Sequence, residues 1–203
     1  MQENPSQAII EAGRWIQSRH WCPATGGNFS ARLNDNEALI TESGCQKGEL
    51  TTRNLLQVDL HGTVLSGTGK PSAETLLHTR LYQLDNHIGA VLHTHSVAST
   101  VLSRIETGAC LSLSGYEMQK SLAGNTTHEA QIEIAILDNH QDMAFLSDQL
   151  AQRWQETPLK WGFLVRGHGL YSWGRDMQEA RRHLEGLEFL FACELELRRL
   201  GKL

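Results

Sequence analysis

Short apolar runs joined by tight turns, with amphipathic stretches between them, constrain this chain more than any other feature. LLQVDL and TVLSG read as a hairpin about His61-Gly62, and WGFLVRGHGLYSWG as two strands about Gly167-His168-Gly169. Strands this close in sequence pair antiparallel, because a parallel pair needs a long crossover. The segment TGGNFSARL, then ALIT, IGAVLHTH and IEIAIL, add further strands. Helical patterns lie between. Asn4 caps a first helix, with Pro5 at its first position and Gln7 reaching back, and Ile9, Ala12, Gly13 and Ile16 on one face. A second helix runs from Ala73 to about Leu84, with Leu76, Leu77, Arg80 and Leu81 in helical order. VASTVLSRI, a stretch through about Trp154, and Asp176 to Leu200 complete the set. This mixture predicts a mixed sheet with helices on both faces rather than a purely parallel array.

The 203 residues contain no repeat, low-complexity tract or linker, so one domain over 1–203 is expected. A formal charge of −5 and no basic cluster beyond ELRRLGK argue against a nucleic-acid partner. No apolar run approaches the ~20 residues that span a bilayer, and MQENPSQAII lacks a leader pattern. A cytoplasmic protein is expected, with the scattered Cys22, Cys45, Cys110 and Cys193 as free thiols.

Histidine is the unusual count, at ten. In VLHTHS, alternation along a strand turns His93 and His95 into one space and Thr94 away. Paired imidazoles at a strand end suit a divalent ion such as Zn²⁺; they also suit a wet surface with water on each ring. A catalytic zinc takes three protein ligands and keeps a fourth position open. His168, between two glycines after GFLV, is the best third candidate, unless the glycines merely serve a hairpin. His20, His61, His78, His87, His128, His140 and His183 read as solvated. Imidazole also suits Mn²⁺, Fe²⁺ and Co²⁺.

Three segments have the composition of an anion cradle. TGGNFS offers backbone N–H groups and the Asn28 amide; ESGCQKGEL offers Ser43, Gly44 and Lys47; GKPSAE offers Lys70 and Ser72 at a helix start. Each is also an ordinary turn, and none has P-loop spacing. Their joint occurrence favours a small phosphorylated substrate. Two carboxylates qualify for proton transfer, Glu74 in the first turn of its helix and Glu117 in SGYEMQK; otherwise they are a helix-dipole partner and a surface acid.

Together GGNFS, the TESG loop, PSAETLLH, VLHTHS and RGHGLYSWG, in this order, resemble the class II aldolase/adducin family over nearly the whole chain. The resemblance implies a three-layer α/β/α sandwich with a mixed, largely antiparallel sheet, one Zn²⁺ per subunit, and a homotetramer with active sites near subunit interfaces. It implies His93, His95 and His168 as zinc ligands and Asn28, Ser43, Gly44 and Ser72 as phosphate contacts, with Lys47 an added charge nearby. Glu74 matches the acid/base of the sugar-phosphate aldolases. GYEMQKSLAG matches the family's dehydrating members and makes Glu117 the acid/base. The implied activity is a hydro-lyase on a phosphorylated ketose, Glu117 removing the C3 proton before the C4 hydroxyl leaves. Rival readings are an aldolase or 4-epimerase using Glu74, and a non-catalytic adducin-like module, which the three histidines argue against. Ala73 and Ser43 stand where aldolases often carry serine and threonine.

Overall fold

The computed structural model describes residues 4–202; Met1–Glu3, the start of the segment read as lacking a leader, and Leu203 lie outside it. The first helix, α1 (Pro5–Ser18), starts as expected, with Asn4 Oδ1 accepting from Ser6 N at 3.0 Å and Gln7 N at 3.3 Å. The Gln7 side chain does not reach back to the Asn4 N–H; its amide nitrogen donates to Glu11 Oε1 one turn on. Then follow β1 (Asn28–Arg32), β2 (Glu37–Thr41), β3 (Leu55–Asp59), β4 (Val64–Ser66), α2 (Thr75–Leu84), β5 (Ala90–Thr94) and α3 (Val97–Ile105). β6 (Cys110–Leu113), β7 (Ile132–Leu137), α4 (Met143–Glu156), β8 (Gly162–Val165), β9 (Gly169–Gly174) and α5 (Met177–Arg199) complete the chain.

Among the described residues, nine strands form one sheet in the order β4-β3-β2-β1-β5-β9-β8-β7-β6. Of these nine strands only β7 and β8 pair parallel, and α4 supplies the crossover that such a pair requires. One face of the sheet carries α1, α3 and α5 over a core including Ile9, Phe29, Leu92, Leu102, Leu164 and Phe191. The other carries α2 and α4 over Ile40, Val58, Leu77, Val91, Leu150 and Tyr171. The fold is thus the expected α/β/α sandwich with a mixed, largely antiparallel sheet. β5 is buried on both faces. Its even members, Leu92 and Thr94, look toward α5, and its odd members, Val91 and His93, toward α2.

α2 begins two residues later than its sequence suggests. Pro71–Glu74 form a turn in which the Ser72 carbonyl accepts from Thr75 N at 3.1 Å and Thr75 Oγ1 at 2.8 Å. Its buried face is also more polar than the expected leucine stripe, holding Thr75, His78, Thr79 and Tyr82 beside Leu77 and Leu81. His78, expected in solvent, is fully buried, and so is His183, which donates to the Trp173 carbonyl and accepts from Ala123 N. Both rings are buried because each has a hydrogen-bond partner on both nitrogens. His20, His61, His87, His128 and His140 are exposed as expected. The four cysteines are unpaired, and no helix among the described residues is long and apolar enough to cross a membrane.

Candidate metal centre and active site

The end of β5 projects His93 and His95 to one side, where the turn between β8 and β9 brings His168 to meet them. Their Nε2 atoms form a triangle of 2.7 Å (His93–His95), 3.1 Å (His95–His168) and 3.3 Å (His93–His168). Three nitrogens bound tetrahedrally at ~2.0–2.1 Å to one Zn²⁺ stand about 3.3 Å apart. His93 Nδ1 donates to the Leu170 carbonyl at 3.0 Å, so its Nε2 turns a lone pair into the triangle. Glu74 closes the fourth side, with Oε1 3.0 Å from His168 Nε2 and Oε2 3.6 Å from His93 Nε2. All four donor atoms lie within 4.8 Å of one another. The arrangement therefore fits a divalent ion.

Burial drives the His93 imidazole well below the usual histidine range, and burial with the neighbouring His168 lowers His95 to about 4. Both rings are neutral at pH 7, the state a metal ligand needs. Burial alone would raise the Glu74 carboxyl, but the His93 and His168 rings and the Asn28 amide hold it below the ordinary carboxylate range.

Several contacts fix the histidines. His93 stacks on Tyr171, its partner on β9, with ring centres 3.9 Å apart. Gly169 lets β9 lie against β5, because a Cβ there would stand 2.0 Å from the Thr94 carbonyl oxygen. Gly27, at φ +78°, lets the strand entry pass His93 O, where a Cβ would stand 2.6 Å away. Thr100 donates to the His168 carbonyl at 3.0 Å, and the Gly167 N–H to Ser103 Oγ at 3.0 Å. The Arg166 guanidinium clamps the same turn onto the carbonyls of Ser103, Glu106 and Gly108.

A cleft of about 660 Å³ opens over the cluster, a size that suits a small molecule. Asn28, Ser43, Gly44, Ser72, Glu74, His95 and His168 all line it, so the three anion segments do converge. The contacts differ from a simple cradle. Ser43 N already donates to the Lys70 carbonyl, and the Asn28 amide nitrogen donates to Ser72 Oγ and to Glu74. Lys47 is buried, its Nζ donating to the carbonyls of Thr25 and Cys45 at 2.9 Å each, so it ties two loops together behind the cleft. Glu42 also lines the cleft, but Asn54 occupies its carboxylate at 2.5 Å. Glu117 does not join the cluster of its own chain. It sits in a 3-10 turn (Glu117–Ser121), its side chain 72% exposed and paired with Lys120 at 2.6 Å.

Sequence reasoning missed two polar residues that the structure places behind the site. His78 lies four residues after Glu74, the cap residue of α2, a spacing that brings both to one side of the helix start. Glu188 interrupts the apolar run of α5 and accepts from Thr94 Oγ1 at 3.0 Å and Ser96 Oγ at 2.5 Å, the residues flanking His95.

Residues 7–195 match the profile of the Class II Aldolase and Adducin N-terminal domain, and the chain belongs to that family. Its relatives include proteins named methylthioribulose-1-phosphate dehydratase. That of Pectobacterium atrosepticum is 58% identical, covering 95% of this chain and 94% of the relative. That of Serratia proteamaculans is 56% identical, covering 98% of both. Among solved structures, an L-fuculose-1-phosphate aldolase from Thermus thermophilus superposes with a TM-score of 0.76 at 26% identity, covering 97% of this chain and 95% of that one.

Proposed function

We propose that this chain is a zinc-dependent methylthioribulose-1-phosphate dehydratase, a hydro-lyase of methionine salvage. It would convert 5-methylthioribulose 1-phosphate to 2,3-diketo-5-methylthiopentyl 1-phosphate within one catalytic domain, in the cytoplasm. The observation that carries the reading is the Nε2 triangle faced by a carboxylate, in a chain 58% identical to a relative of that name. A Zn²⁺ held by His93, His95 and His168 supplies Lewis-acid polarisation of the ketone.

The chain's own residues do the rest. Ser43, Gly44 and Ser72 take the phosphate at the near end of the cleft, and Ser72 keeps its own proton for it by accepting from Asn28. Anchoring that end lowers the barrier to the extent that it sets C3 against the base. Glu74 takes the C3 proton. The electron pair left at C3 expels the C4 hydroxyl, which leaves as water on taking a proton, and the resulting enol ketonises to the diketone. Glu117 is exposed and outside its own cleft, so we assign it to a neighbouring copy's site in a homotetramer. There its protonated carboxyl gives a proton to the departing C4 oxygen and regains one from the enol hydroxyl, while Glu74 passes the proton taken from C3 to C4 as the enol ketonises.

Incubation with 5-methylthioribulose 1-phosphate tests the reaction. A diketone absorbing in the near ultraviolet is expected; dihydroxyacetone phosphate plus an aldehyde would make the chain an aldolase. Glu74→Gln is expected to retain zinc and lose on the order of 10²–10⁴ in turnover. Mixing dissociated Glu74→Gln and Glu117→Gln subunits is expected to restore activity that neither has alone; no recovery would remove Glu117 from the site.

A further inference from the structure

A buried chain of hydrogen bonds leads from Glu74 away from the cleft and into the core between β1 and α2. Asn28 Nδ2 donates to Glu74 Oε2. Asn28 Oδ1 is 2.5 Å from His78 Nε2, and His78 Nδ1 is 2.7 Å from Ser30 Oγ. Ser30 Oγ is in turn 2.7 Å from the Tyr82 hydroxyl. Asn28, Ser30, His78 and Tyr82 are each at most 3% exposed. Water therefore cannot substitute for a missing partner, and every atom must find its match within the chain.

One assignment of protons satisfies the series. An ionised carboxylate only accepts, so the Asn28 nitrogen must face Glu74 and its oxygen must face His78. That oxygen only accepts, so His78 carries its proton on Nε2. Nδ1 then bears a lone pair and accepts from the Ser30 hydroxyl, whose oxygen accepts from Tyr82. Four donors run head to tail toward one carboxylate, the sense in which each bond polarises the next. The opposite tautomer would set two acceptors against each other at 2.5 Å or flip the amide, turning its carbonyl onto the carboxylate.

We propose that His78 is a positioning residue: its Nε2–H holds the Asn28 amide in the one orientation that fixes the Glu74 carboxylate against the histidine cluster. The inference rests on the assignment of Glu74 as the acid/base group. It adds a role for a histidine that touches neither the cleft nor the metal ligands.

Two arms test it. Nitrogen NMR of the imidazoles in the metal-free and zinc-loaded protein should find His78 neutral and protonated on Nε2; protonation on Nδ1 would overturn the proposal without any variant. In kinetics, His78→Leu should lower kcat on the order of 10–100-fold with KM and zinc content unchanged. His78→Gln, which keeps an N–H toward Asn28, should recover most of the loss. In a Glu74→Gln background His78→Leu should cost nothing further. An equal loss in that background would mean that His78 serves the fold alone and would sink the idea. Should His78→Leu fail to fold, Tyr82→Phe, which removes only the far donor, takes its place in the same cycle. If Glu74→Gln itself keeps full turnover, the acid/base reading fails, while the NMR arm still decides the tautomer.

Discussion

Glu188 and His78 are buried groups that pull stability in opposite directions as pH changes. Burial pushes the Glu188 carboxyl up to about 7, against an ordinary value of 4.5. The native state thus binds its proton more tightly than the unfolded one, and the stability Glu188 contributes below about 4.5 is lost as pH rises to about 7. Burial lowers the His78 imidazole from 6.5 to about 4, so its contribution is present above 6.5 and lost as pH falls toward 4. Glu188→Gln should therefore gain on wild type as pH goes from 5 to 8, by on the order of 3 kcal/mol. Denaturant midpoints at the two pH values measure this, and a constant difference would refute it. At the metal, His95→Ala should abolish zinc retention and turnover together, read by metal analysis and product assay on the same preparation.

The elements around the cluster differ in how closely they must fit. Gly169→Ala would press a Cβ to 2.0 Å from the Thr94 carbonyl oxygen at the junction of β5 and β9. A loss of at least ~2 kcal/mol with weaker zinc retention is expected, by thermal unfolding with and without the metal. Asp142→Ala, by contrast, removes a cap that accepts from Ala144 N and Phe145 N. It should cost about 1 kcal/mol and leave zinc content unchanged. Most of these elements were legible in the sequence because their signals are local. Asn4-Pro5 announces α1, and the His61-Gly62 and Gly167–Gly169 turns announce their hairpins. The start of α2 was not, because the Ser72 carbonyl closes a turn before the helix begins. The burial of His78 and His183 was not either, since each depends on partners far along the chain, Ser30 for one and Ala123 for the other.

At the scale of the molecule, zinc should act as a clasp. Its proposed ligands come from β5 and the β8–β9 turn, so binding the native state alone raises the unfolding temperature by mass action. Chelation should lower that temperature and abolish turnover, and added Zn²⁺ should restore both; a chelated protein that melts unchanged would count against the proposed site. The candidate centre was readable because strand alternation fixes the side to which His93 and His95 turn. Lys47 and Glu117 were harder, since composition says what a loop offers and not which way it faces. The sheet order adds a constraint in time. β9 lies between β5 and β8, so among the described residues strands β1 to β5 and strands β6 to β8 meet in the sheet only through β9, which follows them all in the chain. A nascent chain stalled before Gly169 would hold all three proposed ligands but two open-edged half-sheets, with no strand to bring His168 beside His93 and His95. The ability to capture zinc should thus arrive with the closing of the sheet by β9, and not with the synthesis of the last proposed ligand, His168.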